Sequence, residues 1–159
     1  MMNRHIISFE KVAELIASLP IGHHNLIVHD SQHKIPHWKI LFDIQKAFGK
    51  NRKVTIDLDL SQVETIHEID SLSLIDCPNL SAITLPHSIK SIGSRAFYRC
   101  RGLSKVVFSN TTGWKIQKAD RTHEDCDVTN PIQNAELLRD WNSPFLLRHD
   151  SDDFTDTSA

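Results

Sequence analysis

The stretch LSAITLPHSIKSIGSRAFYRC, residues 80–100, is followed by a second copy of its own opening. Aligning CPNLSAITLPHSIKSI (77–92) with CRGLSKVVFSNTTGW (100–114) puts Cys77 on Cys100, Leu80 on Leu103, Ile83 on Val106 and Leu85 on Phe108. Leu74 falls on Phe97 by the same step, and the offset is 23 residues throughout. A fixed period in the twenties marks a repeat architecture, in which each unit buries its apolar face against its neighbours.

Each unit carries the form LxxLxL, as Leu80-Ser-Ala-Ile83-Thr-Leu85 and again as Leu103-Ser-Lys-Val106-Val-Phe108. That form is the strand of a leucine-rich repeat. Equivalent positions stack in such an array, so Cys77 and Cys100 are read as small side chains filling a tight buried bend. The third cysteine is Cys126, and an odd, widely spaced set fits reduced thiols better than a disulfide framework.

The run from Leu80 to Cys100 resembles the BspA-like leucine-rich repeat family of bacteria, whose turn reads roughly L-T-S-I-T-L-P-x-S-V-T-S-I-G-x-x-A-F-x-x-C. NTTGWKI (110–116) is similar to the segment that closes such arrays, and AFGKNRKVTIDLDLSQVETI (47–66) to their lead-in. The resemblance covers residues 54–116 well and the flanks weakly. ETIHEIDSLSLIDC (64–77) departs from it, reading as a longer, less regular loop with no glycine to match Gly93. The resemblance implies a non-enzymatic protein-binding role, in particular surface adhesion or host-matrix binding.

The flanks read as caps. FEKVAELIASLP predicts a helix over 9–19, stopped by Pro20. NLIVHD (25–30) is a short strand. IPHWKILFDIQKAFGK (35–50) is a helix with Trp38, Ile40, Leu41, Ile44 and Phe48 on one broad face and Gly49 as its C-cap. VTIDLDL (54–60) alternates as a half-buried strand, so strand, helix and strand form a parallel βαβ unit. NLIVHD, VTIDLDL, SAITL and SKVVF are expected side by side in one parallel sheet. Asn130-Pro131 starts a helix, with Ile132, Ala135, Leu137 and Leu138 docking on the last turn and Trp114, Trp141 and Phe145 packing beside them.

The fold class that follows is an α/β repeat protein: a short leucine-rich-repeat solenoid with a small parallel sheet, a βαβ N-terminal cap and a helix-bearing C-terminal cap. The expected division is 1–53 for the N-terminal cap, 54–116 for the repeats, 117–148 for the C-terminal cap and 149–159 for a disordered acidic tail.

A net charge of −2 over 159 residues argues against nucleic acid as the partner. No apolar run approaches a membrane span. The opening MMNRHIISFEKVAELIASLP has no signal-peptide core, which points to the cytosol, whereas the family resemblance implies the cell surface. An intracellular protein-interaction module is therefore the alternative to adhesion. An open sheet edge can also pair with a second copy of the chain.

Three groups of residues are candidates for chemistry. His29, His33 and His37 are four apart, as zinc ligands on a helix would be, but Pro36 interrupts the run and no HExxH is present. A small metal-binding enzyme built on them is the third reading; the favoured one has no metal, no cofactor and no catalytic residue. Asp57 and Asp59 share the polar side of their strand, with Thr84, Ala82, Lys105 and Val107 expected beside them as a partner-binding face. Between Cys77 and Ala119 there is no acidic residue, while Lys90, Arg95, Arg99, Arg101, Lys105, Lys115 and Lys118 all lie there. Arg95, Arg99 and Arg101 are thus a second candidate contact for an acidic partner, unless the acidic C-terminal region folds back on them.

Overall fold

The computed structural model of the chain describes residues 3–30 and 35–149. His33, and the tail apart from His149, lie outside the described residues. The chain opens with β1 (Asn3–Ser8), a 3₁₀ turn (Phe9–Lys11), α1 (Val12–Ser18), β2 (Gly22–His29), α2 (His37–Lys50) and β3 (Val54–Gln62). It continues with β4 (Glu68–Ile69), β5 (Leu80–Leu85), β6 (Ser91–Ile92) and β7 (Lys105–Phe108). It closes with β8 (Trp114–Gln117), β9 (His123–Asp125), α3 (Pro131–Leu138) and β10 (Phe145–Arg148).

The first sheet is parallel throughout, in the order β1-β2-β3-β5-β7. The four strands expected from sequence are its centre and far edge; β1 was not foreseen and forms the near edge. Leu26, Val28, Ile56, Leu58, Ile83, Leu85, Val106 and Phe108 alternate onto one side of this sheet. They join Val12 and Ile16 of α1 and Ile40, Leu41, Ile44 and Phe48 of α2 in one buried cluster. Side chains two residues apart on a strand share a face, so the helices bury one side of the sheet and the intervening residues line the other.

The 23-residue repeat is present in the backbone as well as in the side chains. Ile66, Ile69, Leu74, Cys77 and Leu80 are buried, and so are their equivalents Ile89, Ile92, Phe97, Cys100 and Leu103. Leu72 and Arg95 have φ of 66° and 61°, and Asp76 and Arg99 have 56° and 65°, so left-handed residues recur at the same offset. The two coils are joined by backbone hydrogen bonds such as Leu74 N to Ala96 O at 2.9 Å and Asp76 N to Tyr98 O at 2.8 Å. Residues 64–77 are therefore no irregular loop: they follow the same path as 87–100, with Asp70 in the place of Gly93. A Cβ at Gly93 would lie 2.3 Å from the Ser71 backbone nitrogen, because this bend rests on the coil below. That contact requires glycine in the second unit.

Three asparagine amides close off carbonyls that the secondary structure leaves over. Asn51 Nδ2 donates to Ile16 O and Leu19 O at 2.8 and 2.9 Å, at the end of α1. Asn79 Nδ2 donates to Phe48 O and Asn51 O at 3.4 and 2.9 Å, at the end of α2. Asn134 Nδ2 of α3 donates to Val106 O and Val128 O. Helix ends and outer strands have orphan acceptors, and a side-chain amide has two donors to give them.

The C-terminal region departs from expectation in detail. Asn130 caps α3 as read from sequence, its side chain accepting from Ile132 N and Gln133 N. Ala135 and Leu138 are buried, but Ile132 and Trp141 are 56% and 51% exposed and do not pack into the interior. A second sheet, β4-β6-β10-β8-β9, was not legible in the sequence. In it β10 turns back to pair antiparallel with β6 and β8. Gly49 stays inside α2, which ends at Lys50 with Asn51 as its cap.

Candidate binding faces

The register of the first sheet assembles two rows across its uncovered side. One row reads Arg4, Asn25, Asp57, Ala82, Lys105. The other reads Ile6, Ile27, Asp59, Thr84, Val107. The sequence-derived set Asp57, Asp59, Thr84 and Lys105 is thus brought together, and a shallow depression of about 430 Å³ lies over it. The first row has a cation at each end and a carboxylate in the middle. The second is mostly apolar, and Ile6 on the edge strand is 70% exposed.

The two carboxylates differ in their partners. Asp59 Oδ1 accepts from the Ser61 amide at 2.9 Å, which holds it in place. Asp57 Oδ2 accepts from His23 Nε2 at 3.0 Å, while Asp57 Oδ1 is out of solvent contact and has no hydrogen-bond partner. The Asp57 side chain as a whole is 36% exposed, so its negative charge is open to an incoming cation.

Arg95, Arg99 and Arg101 do not belong to that face. Arg99 and Arg101 line a separate depression of about 500 Å³ with Tyr98, Glu136, Arg139, Asp140 and Trp141. Arg95 lies over the Trp141 ring, with its guanidinium carbon 3.7 Å from the ring centre, and donates from Nε to Trp141 O. Arg139 donates to Leu103 O at 2.6 Å and Arg99 sits 4.0 Å from Asp76. The arginines are in part engaged within the chain, and Glu136 and Asp140 temper the charge of this depression. Lys115 and Lys118 are likewise paired, with Asp125 and Glu124.

Of the histidine run, His29 ends β2 with Nδ1 at 3.1 Å from Asp30 O, and His37 begins α2. His37 meets other residues: its Nε2, a Glu68 oxygen and an Asp70 oxygen all lie within 4.8 Å of one another. Sequence reasoning missed this group, because the three residues meet only through the stacking of β4 on α2. The signal that could have found it is the pair of carboxylates at 68 and 70, where the second repeat has Ser91 and Gly93.

Cys77 and Cys100 are neighbours in successive coils, so each thiol does have a second cysteine at hand. Cys100 Sγ donates to Leu74 O at 3.0 Å, and both residues are fully buried. The hydrogen bond with Cys100, then burial, push the Cys77 thiol far above its ordinary range. The same contact lowers the Cys100 thiol, so it is the complete burial of both side chains, out of reach of any substrate, that keeps the pair in the packing role.

Residues 45–122 match the family described as BspA type Leucine rich repeat region (6 copies). This stretch is a BspA-type leucine-rich-repeat region. The match starts inside α2 and ends past β8, so it is wider than the 54–116 read from the sequence. No curated protein and no solved structure matches the chain at a significant level. Leucine-rich repeats of this kind serve in general as protein-interaction scaffolds, and no helix among the described residues is long and apolar enough to cross a membrane.

Proposed function

We propose that this BspA-type repeat chain is a non-enzymatic protein-binding module, a short solenoid closed by the βαβ segment at one end and the α3 segment at the other. The partner rests on the uncovered side of the parallel sheet, over Asp57, Asp59, Thr84 and Lys105. The observation that carries this is the register that sets Asp57, Asp59, Thr84 and Lys105 side by side over one depression of about 430 Å³ on the side of the sheet away from the helices. The partner segment that suits it presents a lysine or arginine to the two aspartates and apolar side chains to Ile27 and Val107. The proposed division remains 1–53, 54–116 and 117–148, with the binding rows drawn from the first two parts.

Surface adhesion is the particular form implied by the family, with an intracellular interaction module as the alternative. Protease shaving of intact source cells separates the two: loss of the protein before lysis supports adhesion, and survival until lysis supports the intracellular module. The binding face itself is tested by selecting peptides from a displayed random library on the immobilised chain. Selected peptides are expected to be basic and apolar, and to lose binding to Asp57→Asn/Asp59→Asn while keeping it for Arg99→Ser. Peptides that bind the double variant equally well would overturn the assignment of the face.

A further inference from the structure

We propose that His37, Glu68 and Asp70 form a binding site for a divalent transition-metal ion of the zinc class. Glu68 lies in β4 and Asp70 directly follows it, on either side of the buried Ile69, and a carboxylate oxygen of each comes within 4.8 Å of the other. His37 is the first residue of α2, and its Nε2 comes to 3.9 Å from Glu68 Oε1. All three candidate ligand atoms fall within 4.8 Å of one another.

The spacing suits an ion better than a proton. A hydrogen bond between imidazole and carboxylate needs about 2.8 Å, which this pair exceeds by far. Zinc holds nitrogen and oxygen at about 2.0–2.2 Å, and two tetrahedral ligands then stand about 3.4 Å apart. The 3.9 Å gap therefore closes on an ion with a small side-chain movement. His37 Nε2 is out of solvent contact and has no hydrogen-bond partner, so its lone pair or its proton is unmatched. Neither Glu68 nor Asp70 has a lysine or arginine within ion-pair range among the described residues.

The comparison of the two coils adds an independent reason. Ser91 pairs in register with Glu68, and Gly93 stands where Asp70 does. The carboxylates appear only in the coil that faces the start of α2, where an ion would tie helix to strand. One imidazole with two carboxylates favours zinc, manganese or ferrous iron over calcium, whose sites are all oxygen. Three protein ligands leave coordination positions for water or for a donor from a partner.

The test uses the untagged full chain, titrated calorimetrically with zinc and followed separately with cobalt(II) by visible absorption. One ion per chain is expected, with visible cobalt bands and a higher melting temperature in zinc. Glu68→Gln/Asp70→Asn and His37→Ala are each expected to weaken binding by about ten-fold or more, while His29→Ala and His5→Ala leave it unchanged. Circular dichroism establishes that each variant is folded; should His37→Ala not fold, the Glu68→Gln/Asp70→Asn pair of exposed substitutions decides. No stoichiometric ion in the parent chain, or binding that persists in the double variant, would overturn the site. Neither result bears on the sheet face, whose peptide selection is run in chelator.

Discussion

The side-chain amide of Asn134 reaches the carbonyls of both Val106 and Val128, at 2.9 and 2.8 Å, from a position only 3% exposed. One residue of α3 thus satisfies the last strand of the parallel sheet and the segment leading into the helix. Asn134→Ala leaves two buried acceptors without donors. The expected cost is about 1–3 kcal/mol, read from urea denaturation with an unchanged slope. A loss below a few tenths of a kcal/mol would mean that water reaches these carbonyls.

Gly93 and Gly102 are required by stacking. A Cβ would approach Ser71 N to 2.3 Å at one and Pro78 O to 2.2 Å at the other. Both obstacles are backbone, so the coils must separate to accept even a methyl group. Gly93→Ala and Gly102→Ala should each lose about 1–3 kcal/mol, whereas Gly49→Ala, with open space around it, should not destabilise. Differential scanning calorimetry of the three variants measures this contrast.

The cysteines should differ sharply in reactivity. Cys77 and Cys100 are buried and Cys126 is half-buried. Burial first, then Asp127 and Glu124, raise the Cys126 thiol above its ordinary value. A raised value means less thiolate at a given pH and slower reaction. Thiol titration with a chromogenic disulfide should count one reactive group in the native chain and three in denaturant. The native rate should still be rising at a pH where a free peptide thiol has levelled off.

Asp57 is predicted to be held for binding at the expense of folding. Its Oδ1 lacks a donor, so Asp57→Asn removes a charge that the fold satisfies at one oxygen only, while keeping an acceptor for His23. Stability should stay level or rise by up to about 1 kcal/mol, as measured by thermal melting at neutral pH. A clear loss would give Asp57 a structural role.

Much of this fold is legible in the sequence because the repeat states itself twice. Ile83 on Val106 and Cys77 on Cys100 fix the coil, and the alternation from Val54 to Leu60 fixes which side of β3 is buried. The rows containing Asp57, Asp59, Thr84 and Lys105 follow from that register. What was hidden depends on distant pairing. Phe145–Arg148 is too short and irregular to be read as a strand until it meets β6 and β8. The unit 64–77 looks irregular by its letters because Asp70 and Leu72 occupy the positions of Gly93 and Arg95, although the backbone repeats. His37 and Glu68 are 31 residues apart and meet only when α2 lies beside the first coil. Trp141 was expected in the packing of the C-terminal cap, and it stays half exposed there with Arg95 over one of its faces.

The central claim is that the uncovered side of the parallel sheet is the binding surface. Amide spectra of the isotope-labelled chain, titrated with a library-selected peptide, test it most directly. The account predicts shifts centred on Asn25, Ile27, Asp57, Asp59, Thr84 and Lys105, with the amides around Arg99 and Trp141 unmoved. Shifts confined to Tyr98, Arg99, Arg139 and Trp141 would contradict it and place the partner in the arginine-lined depression.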